Sequence, residues 1–345
     1  MTALAPPPAT DAVRPAGPFR GLLTAEVHRF LARRFTHLLV LLAVAAGLVG
    51  LVLALLYFRA PDAERLAAAR AQVDQVVAQQ EQYRQQCLAD PARPAGAPDD
   101  VCGPPARASD FSVSDFLHPK PFSLTDLGFG GATGVAVGCS ALAFLVGASF
   151  VGAEWSSRSL VSLLFWEPRR GRVLGAKAIV VGGASAVLGI VGQVAWFAAA
   201  ELLQAVAGDG QALPHGFWSQ FAGVGARGVL LTVLVGLLGS GLTNLVRNTG
   251  AALGVAFVYL VIVESAARAL LSRSQPWLLT ENVIALLQPG GLKIVLDWNP
   301  PPGAPPNWQP EEYLVTHLHA GLLLGAVTAV IAGAGIWLFH RRDVS

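Results

Sequence analysis

The sequence predicts an all-α polytopic membrane protein: six transmembrane helices, an amphipathic N-terminal elbow helix and a helical outer loop. Three observations carry that expectation. The first is composition, since 53% of the 345 residues are hydrophobic and 13% are charged, against roughly 25% charged in soluble domains. So few charges cannot solvate a soluble surface, and lipid must replace part of the core. The second is a set of long stretches free of Asp, Glu, Lys and Arg, at 35–58, 127–153, 178–200, 228–246, 248–263 and 313–340. One such charge at a helix centre costs about 2.5–3.5 kcal/mol, so uninterrupted stretches of this length mark spans. The third is a basic residue cluster at every second connection. The net charge of +2 offers no field for nucleic acid, and soluble enzymes and nucleic-acid binders are both disfavoured.

Residues 1–18 contain Pro6, Pro7, Pro8, Pro15 and Pro18 and are expected to form a disordered cytoplasmic tail. In 19–35, Phe19, Leu22, Leu23, Val27, Phe30 and Leu31 recur at helical spacing, with Glu26, Arg29 and Arg33 facing the other way. This suits an elbow helix along the inner leaflet, or else a plain helical extension of the first span. Residues 36–345 then form the transmembrane domain, with spans at about 37–58, 128–152, 178–203, 225–246, 249–269 and 314–339. Glu264 interrupts the fifth. The first span is too long and too far from the N-terminus for a cleavable signal peptide. Arg14, Arg20, Arg29, Arg33 and Arg34 precede span one, and Arg158, Arg169, Arg170, Arg172 and Lys177 lie between spans two and three. Arg247 lies between spans four and five, and Arg341 and Arg342 follow span six. With six spans these segments share one side, which the positive-inside rule makes cytoplasmic, so both termini are expected inside. Three lysines among 24 basic residues, with much Ala and Gly, suggest a GC-rich bacterial genome and hence a bacterial plasma membrane.

The outer loop 59–126 opens at Pro61-Asp62 into a long stretch without Gly or Pro, a helix signal. Leu66, Ala69, Val73, Val76 and Tyr83 fit heptad positions that Gln80 breaks, so this helix either packs on another or stands solvated. Cys87 and Cys102 lie in the same loop and suit a disulfide in an oxidising compartment; free thiols or intermolecular bridges are the alternatives. Cys139, in span two, reads as a packing residue. Near the last span, Thr280 is placed to cap a short helix that Pro289 and Gly290 stop, lying on the surface or partly re-entering the outer leaflet. Trp277, Trp298 and Trp308 suit the interface.

The loop 153–177 carries the functional signal. Leu160, Leu163, Leu164 and Trp166 lie beside Ser156, Ser157 and Arg158, and Glu167-Pro168 ends this amphipathic piece because the residue before proline is pushed out of helix. Arg169, Arg170 and Arg172 follow, and Lys177 leads into span three. A plain basic loop needs neither the apolar helix nor the proline stop. The run Glu154, Ser157-Arg158-Ser159-Leu160, Leu163-Leu164, Pro168, Arg170, Leu174 and Lys177 resembles the cytoplasmic loop of type 2 ATP-binding-cassette export permeases. Many members carry a Gly-Thr pair where this chain has Ser157-Arg158-Ser159, and the outer loop here is unusually long. The resemblance implies that Glu154, Arg158, Leu160, Leu163, Glu167, Pro168, Arg170 and Lys177 couple the chain to a cytoplasmic ATPase subunit. It also implies a second permease chain, as homo- or heterodimer, and ATP with Mg bound by the partner rather than by this chain. No GxxxxGK[ST] phosphate loop occurs, and the chain itself reads as non-enzymatic.

Glu201, Arg227 and Glu264 sit near the outer ends of spans three, four and five. They pair across the bundle, line an outer vestibule, or simply mark where each helix leaves the lipid. Gly128, Gly131, Gly134 and Gly138, and Gly321 and Gly325, favour close helix packing. His317 and His319 are two residues apart on different helix faces, so no metal site is expected. Two other function classes compete: an ATP-independent secondary transporter or channel, and a non-transporting anchor or sensor that uses its long outer loop.

Overall fold

The structure is a computed structural model that describes residues 19–90, 99–297 and 308–341; the expected tail at 1–18 and Trp298 lie outside the described residues. Helix α1 (Phe19–Leu31) is followed by α2 (Arg34–Tyr57), α3 (Ala63–Ala89), α4 (Leu124–Ser156), the short α5 (Ser159–Trp166), α6 (Arg170–Ala207) and α7 (Phe217–Val246). Next come α8 (Thr249–Phe257), a π-helical turn at Val258–Val263, and α9 (Glu264–Leu270), which together make one span. Helix α10 (Leu279–Leu287), strands β1 (Leu292–Asp297) and β2 (Glu311–Val315) and helix α11 (His317–Arg341) complete the chain. Six helical stretches among the described residues are long and apolar enough to cross a bilayer, and the protein is a multi-pass, predominantly helical membrane protein. At 1.5 Å per residue the 38-residue α6 runs about 57 Å, well beyond a hydrocarbon core of about 30 Å. Its ends therefore reach water, as do those of the 33-residue α4.

The chain forms two compact units, one of residues 1–41, 133–193 and 223–345 and the other of 42–132 and 194–222. In the first, helices α4 and α7 approach to backbone contact: a Cβ on Gly147 would press into the Gly236 carbonyl, and one on Gly239 into the Phe144 carbonyl. Close packing thus runs through these glycines rather than through Gly134, Gly138 or Gly325, beside which there is open space. Helix α1 is separated from α2 by a break at Ala32–Arg33, and its Phe30 packs with Phe150, Val146, Val180 and Val181. A further core joins Leu231 of α7 to Ala285, Leu286 and Leu287 of α10, Ile294 of β1, and Ala320 and Leu324 of α11.

The strand pair departs from the all-α expectation. β1 and β2 run antiparallel with Leu292 opposite Val315, and a bulge falls between Val295 and Asp297. Leu314 and Val315 therefore belong to a strand, and the last span begins at His317 rather than near 314. Thr280 also does not cap α10. The helix starts one residue earlier, and its first amides are taken by the distant Glu264 carboxylate: Leu279 N–H donates at 2.8 Å and Thr280 N–H at 3.2 Å.

In the second unit, Asp62 caps α3 by accepting from Arg65 N–H at 2.8 Å. Ala69 and Val73 are buried while Tyr83 is exposed, because α3 packs on three-ten turns of its own loop at 99–102, 108–110 and 113–116 rather than on a further helix. Farther along α3, hydrogen bonds from the Arg84 guanidinium and the Gln85 amide hold the Glu81 carboxyl down to about 2. That bond persists above this value and is lost only as pH falls through it. Cys87 and Cys102 form a disulfide, with Cα atoms 5.8 Å apart. The loop ends against α6: Phe122 N–H donates to the Ala207 carbonyl at 2.8 Å, and Asp209 N–H donates back to Phe122 at 3.1 Å. Phe129, Phe217, Trp218, Phe221 and Phe197 form an aromatic cluster there. In the same unit the Trp196 indole donates to the Gly128 carbonyl at 3.0 Å and occupies the space a Cβ on Gly131 would need. We expect the denatured, unreduced protein to take up one alkylating group, at Cys139, and three after reduction, as read by intact mass.

Candidate functional site

The ends of α1, α4 and α6 meet around one buried cation. Lys177, in the second turn of α6, is 2% exposed, and its Nζ lies 2.6 Å from Glu26 Oε2 and 2.6 Å from Glu154 Oε2. Glu26 on α1 is fully enclosed and Glu154, two residues before α4 ends, is nearly so. Arg29 pairs with Glu26 at 2.9 Å, and Arg33 approaches Glu154 at 3.5 Å while donating to the Ser149 carbonyl at 3.1 Å. The Phe150 ring lies under both the Arg33 guanidinium (4.7 Å) and the Lys177 ammonium (5.0 Å), an arrangement that stabilises desolvated cations. Burial lowers the Arg33 pKa, and the neighbouring Glu154 and Glu26 carboxylates oppose that shift. Sequence reasoning put Glu26 on the polar face of α1, turned away from the apolar side; in the structure it is among the most buried side chains. Its signal was its sign, as the one acidic residue in a helix whose other charges are basic.

Helix α5 is held beside this cluster. Leu160 and Leu163 are buried against Val173 and Leu174 of α6 and Phe339 of α11, while Phe165 is 86% exposed. Arg158 turns the chain from α4 into α5 with φ at +54°. Glu167, extended and buried, ends α5, accepts from Arg169 N–H at 3.4 Å and lies 3.8 Å from Arg172. A carboxylate there complements the positive N-terminal end of α6. Pro168 is exposed. Arg170 donates to the Phe339 carbonyl at 2.6 Å and lies over that residue's ring, tying α6 to α11. A cavity of about 440 Å³ opens between Arg29, Arg33 and Glu154 on one side and Ser159, Ser162 and Leu163 on the other.

The three candidate vestibule charges differ in their local surroundings. Glu264 is fully buried and accepts from Leu279 N–H, Thr280 N–H and Thr280 Oγ1. Arg268 joins it at 3.8 Å and Glu281 at 2.8 Å, and Glu264 thereby caps α10. Glu201 and Arg227 are half-buried. His317 and His319 bond separately to the Gln288 and Pro276 carbonyls, and among the described residues no His, Cys, Asp and Glu group could hold a metal. No family model, curated protein or solved structure matches the chain.

Lys177→Met removes the cation that two buried carboxylates share and leaves them only Arg29 and Arg33 at the edge of the cluster; breaking a buried pair costs about 3–5 kcal/mol. It should lower the unfolding midpoint in detergent sharply, whereas Lys177→Arg should fall between the variant and wild type. Glu264→Ala, which frees the first amides of α10, should cost about 1–2 kcal/mol in the same measurement.

Proposed function

We propose that this chain is the membrane-spanning permease subunit of a type 2 ATP-binding-cassette exporter in a bacterial plasma membrane, with both termini cytoplasmic. A separate ATPase subunit would bind and hydrolyse ATP with Mg, and a second permease chain would complete the path. One observation carries the reading: α5 is a short helix seated by Leu160 and Leu163 on the ends of two spans, with Phe165 left outside at 86% exposure. An apolar side chain presented on a membrane-flanking helix suits insertion into a partner's cleft. The ion-pair cluster beside it supports the same reading, because it makes the ends of α1, α4 and α6 respond together to a push on α5. Helix α2, whose apolar window has no buried residue, leaves a face for lipid or for the second chain.

The disulfide-closed outer loop favours a second reading, a membrane anchor or sensor that binds through α3. The two separate on α5. With an ATPase subunit encoded beside this chain, Phe165→Asp should abolish co-purification and substrate-stimulated ATPase activity while membrane insertion is retained. Arg170→Ala should weaken stimulation with less effect on binding. Wild-type co-purification and stimulation in both variants would overturn the permease assignment.

A further inference from the structure

Helix α3 has a face that the fold of its own loop leaves outward. Its inner side is fixed, since Ala69 and Val73 are buried and α3 packs on the three-ten turns that follow it. The Cys87–Cys102 disulfide holds the end of the helix to the turn at 99–102. On the other side Ala68, Gln72, Gln75, Gln79, Gln82 and Gln86 follow one another at alternating steps of four and three, and all six are exposed. Those steps keep side chains in one row along a helix, the spacing of a pairing seam. Tyr83, 62% exposed, borders the row. The charges of α3 beyond its first turn, Arg70, Asp74, Glu81 and Arg84, all fall away from it at 3.6 residues per turn. Solvent-facing helix surfaces ordinarily mix charged with polar residues, whereas this row holds amides and one alanine.

Charge complementarity selects the partner. Two copies of a chain inserted in one bilayer are related by a two-fold axis along the membrane normal, so a surface on that axis meets itself. Charged residues there would face their like. A glutamine amide carries donors and an acceptor together and bonds to a second glutamine in either direction. The row also matches itself both ways. In a parallel pair each glutamine meets its own copy, and in an antiparallel pair Gln75 meets Gln79 while Gln72 meets Gln82. We propose that this row is a pairing surface for a second copy of the chain, α3 against α3, so that the second permease chain is identical to the first. The inference rests on the permease reading for placing two copies side by side in one membrane. That shared anchorage raises the effective concentration of the two helices, so a seam on one helix of about 40 Å is enough to join them.

The test co-expresses two differently tagged forms of the full-length chain without any ATPase subunit. One tag is pulled down in nonionic detergent, the other is scored, and native mass spectrometry counts the copies. The wild-type forms should pair. Gln75→Glu combined with Gln79→Glu sets like charges opposite each other in either helix direction and should weaken pairing at least about tenfold. Gln75→Lys combined with Gln79→Lys should do the same. Both positions are exposed, so the unfolding midpoint should not change in either variant. Co-expressing the acidic form with the basic form should restore pairing, because the charges then attract. A wild-type chain that stays single, wild-type pairing in the acidic form, or an acidic–basic mixture that stays apart would each overturn the proposal. The permease assignment fails separately: paired chains whose ATPase coupling ignores Phe165 would sink that assignment and leave this one, and single chains with Phe165-dependent coupling would do the reverse.

Discussion

The arrangement at one end of this protein depends on a single ammonium group held between two carboxylates. Lys177 Nζ is 2.6 Å from both Glu26 and Glu154, and all three side chains are withdrawn from solvent. Desolvating three charges is expensive, and such a set adds little net stability over a well-packed apolar core. What it supplies is position. Apolar contacts tolerate a slide of an ångström or more, whereas two short ion pairs on one nitrogen fix the ends of α1, α4 and α6 in register. Arg29, Arg33 and Phe150 then close the cluster from outside.

Helix α5 follows from that constraint. With Glu154 two residues before α4 ends and Lys177 in the second turn of α6, the intervening chain must cross between two fixed points. It does so by a left-handed turn at Arg158, eight helical residues, and an extended Glu167 before proline. The same economy recurs at Glu264, where a carboxylate inside an apolar run holds the first amides of α10. Both acids would ordinarily suggest a transport site. Their geometry makes them fixings: Glu154 pairs with Lys177 of α6 at 2.6 Å, and Glu264 accepts from the first amides of α10. Arg227 and Glu201 differ in that no ion pair engages either among the described residues.

Much of this was legible in the sequence, for reasons that differ by element. The spans were readable because lipid demands long uncharged runs, and no tertiary contact can substitute for them. The existence and ends of α5 were readable because Leu160, Leu163 and Pro168 act locally. The burial of Glu26 was not, since its partner stands 151 residues away and helical periodicity alone places a glutamate on the wet face. Thr280 looked like a cap for the same local reason, but Glu264, from a preceding helix, reaches the amides first. The strand pair was hidden by brevity: β1 has six residues and β2 five, with a proline-rich stretch between them that reads as loop. Glycine spacing located close packing only in part, because which glycine faces a neighbouring backbone depends on how the helices cross.

The consequence for the proposed permease lies in what moves with α5. Leu160 and Leu163 seat it on α6 and α11, and Arg170 binds the Phe339 carbonyl, so the last span is tied to the third at this level. Glu154 and Lys177 tie the second span to the third, Glu26 ties α1 to the third, and Arg33 reaches Glu154 and the Ser149 carbonyl of the second. A displacement of α5 therefore cannot be absorbed by one helix; it must be passed to four elements or break a buried ion pair. Arg158 and Arg169 stand in solvent, as the positive-inside rule alone would leave them. Glu26, Glu154 and Lys177 are instead turned inward and paired, while the apolar Phe165 is turned outward. For the permease we propose, that pairing of a buried ionic cluster with an exposed apolar side chain suits a push on α5 from the aqueous side.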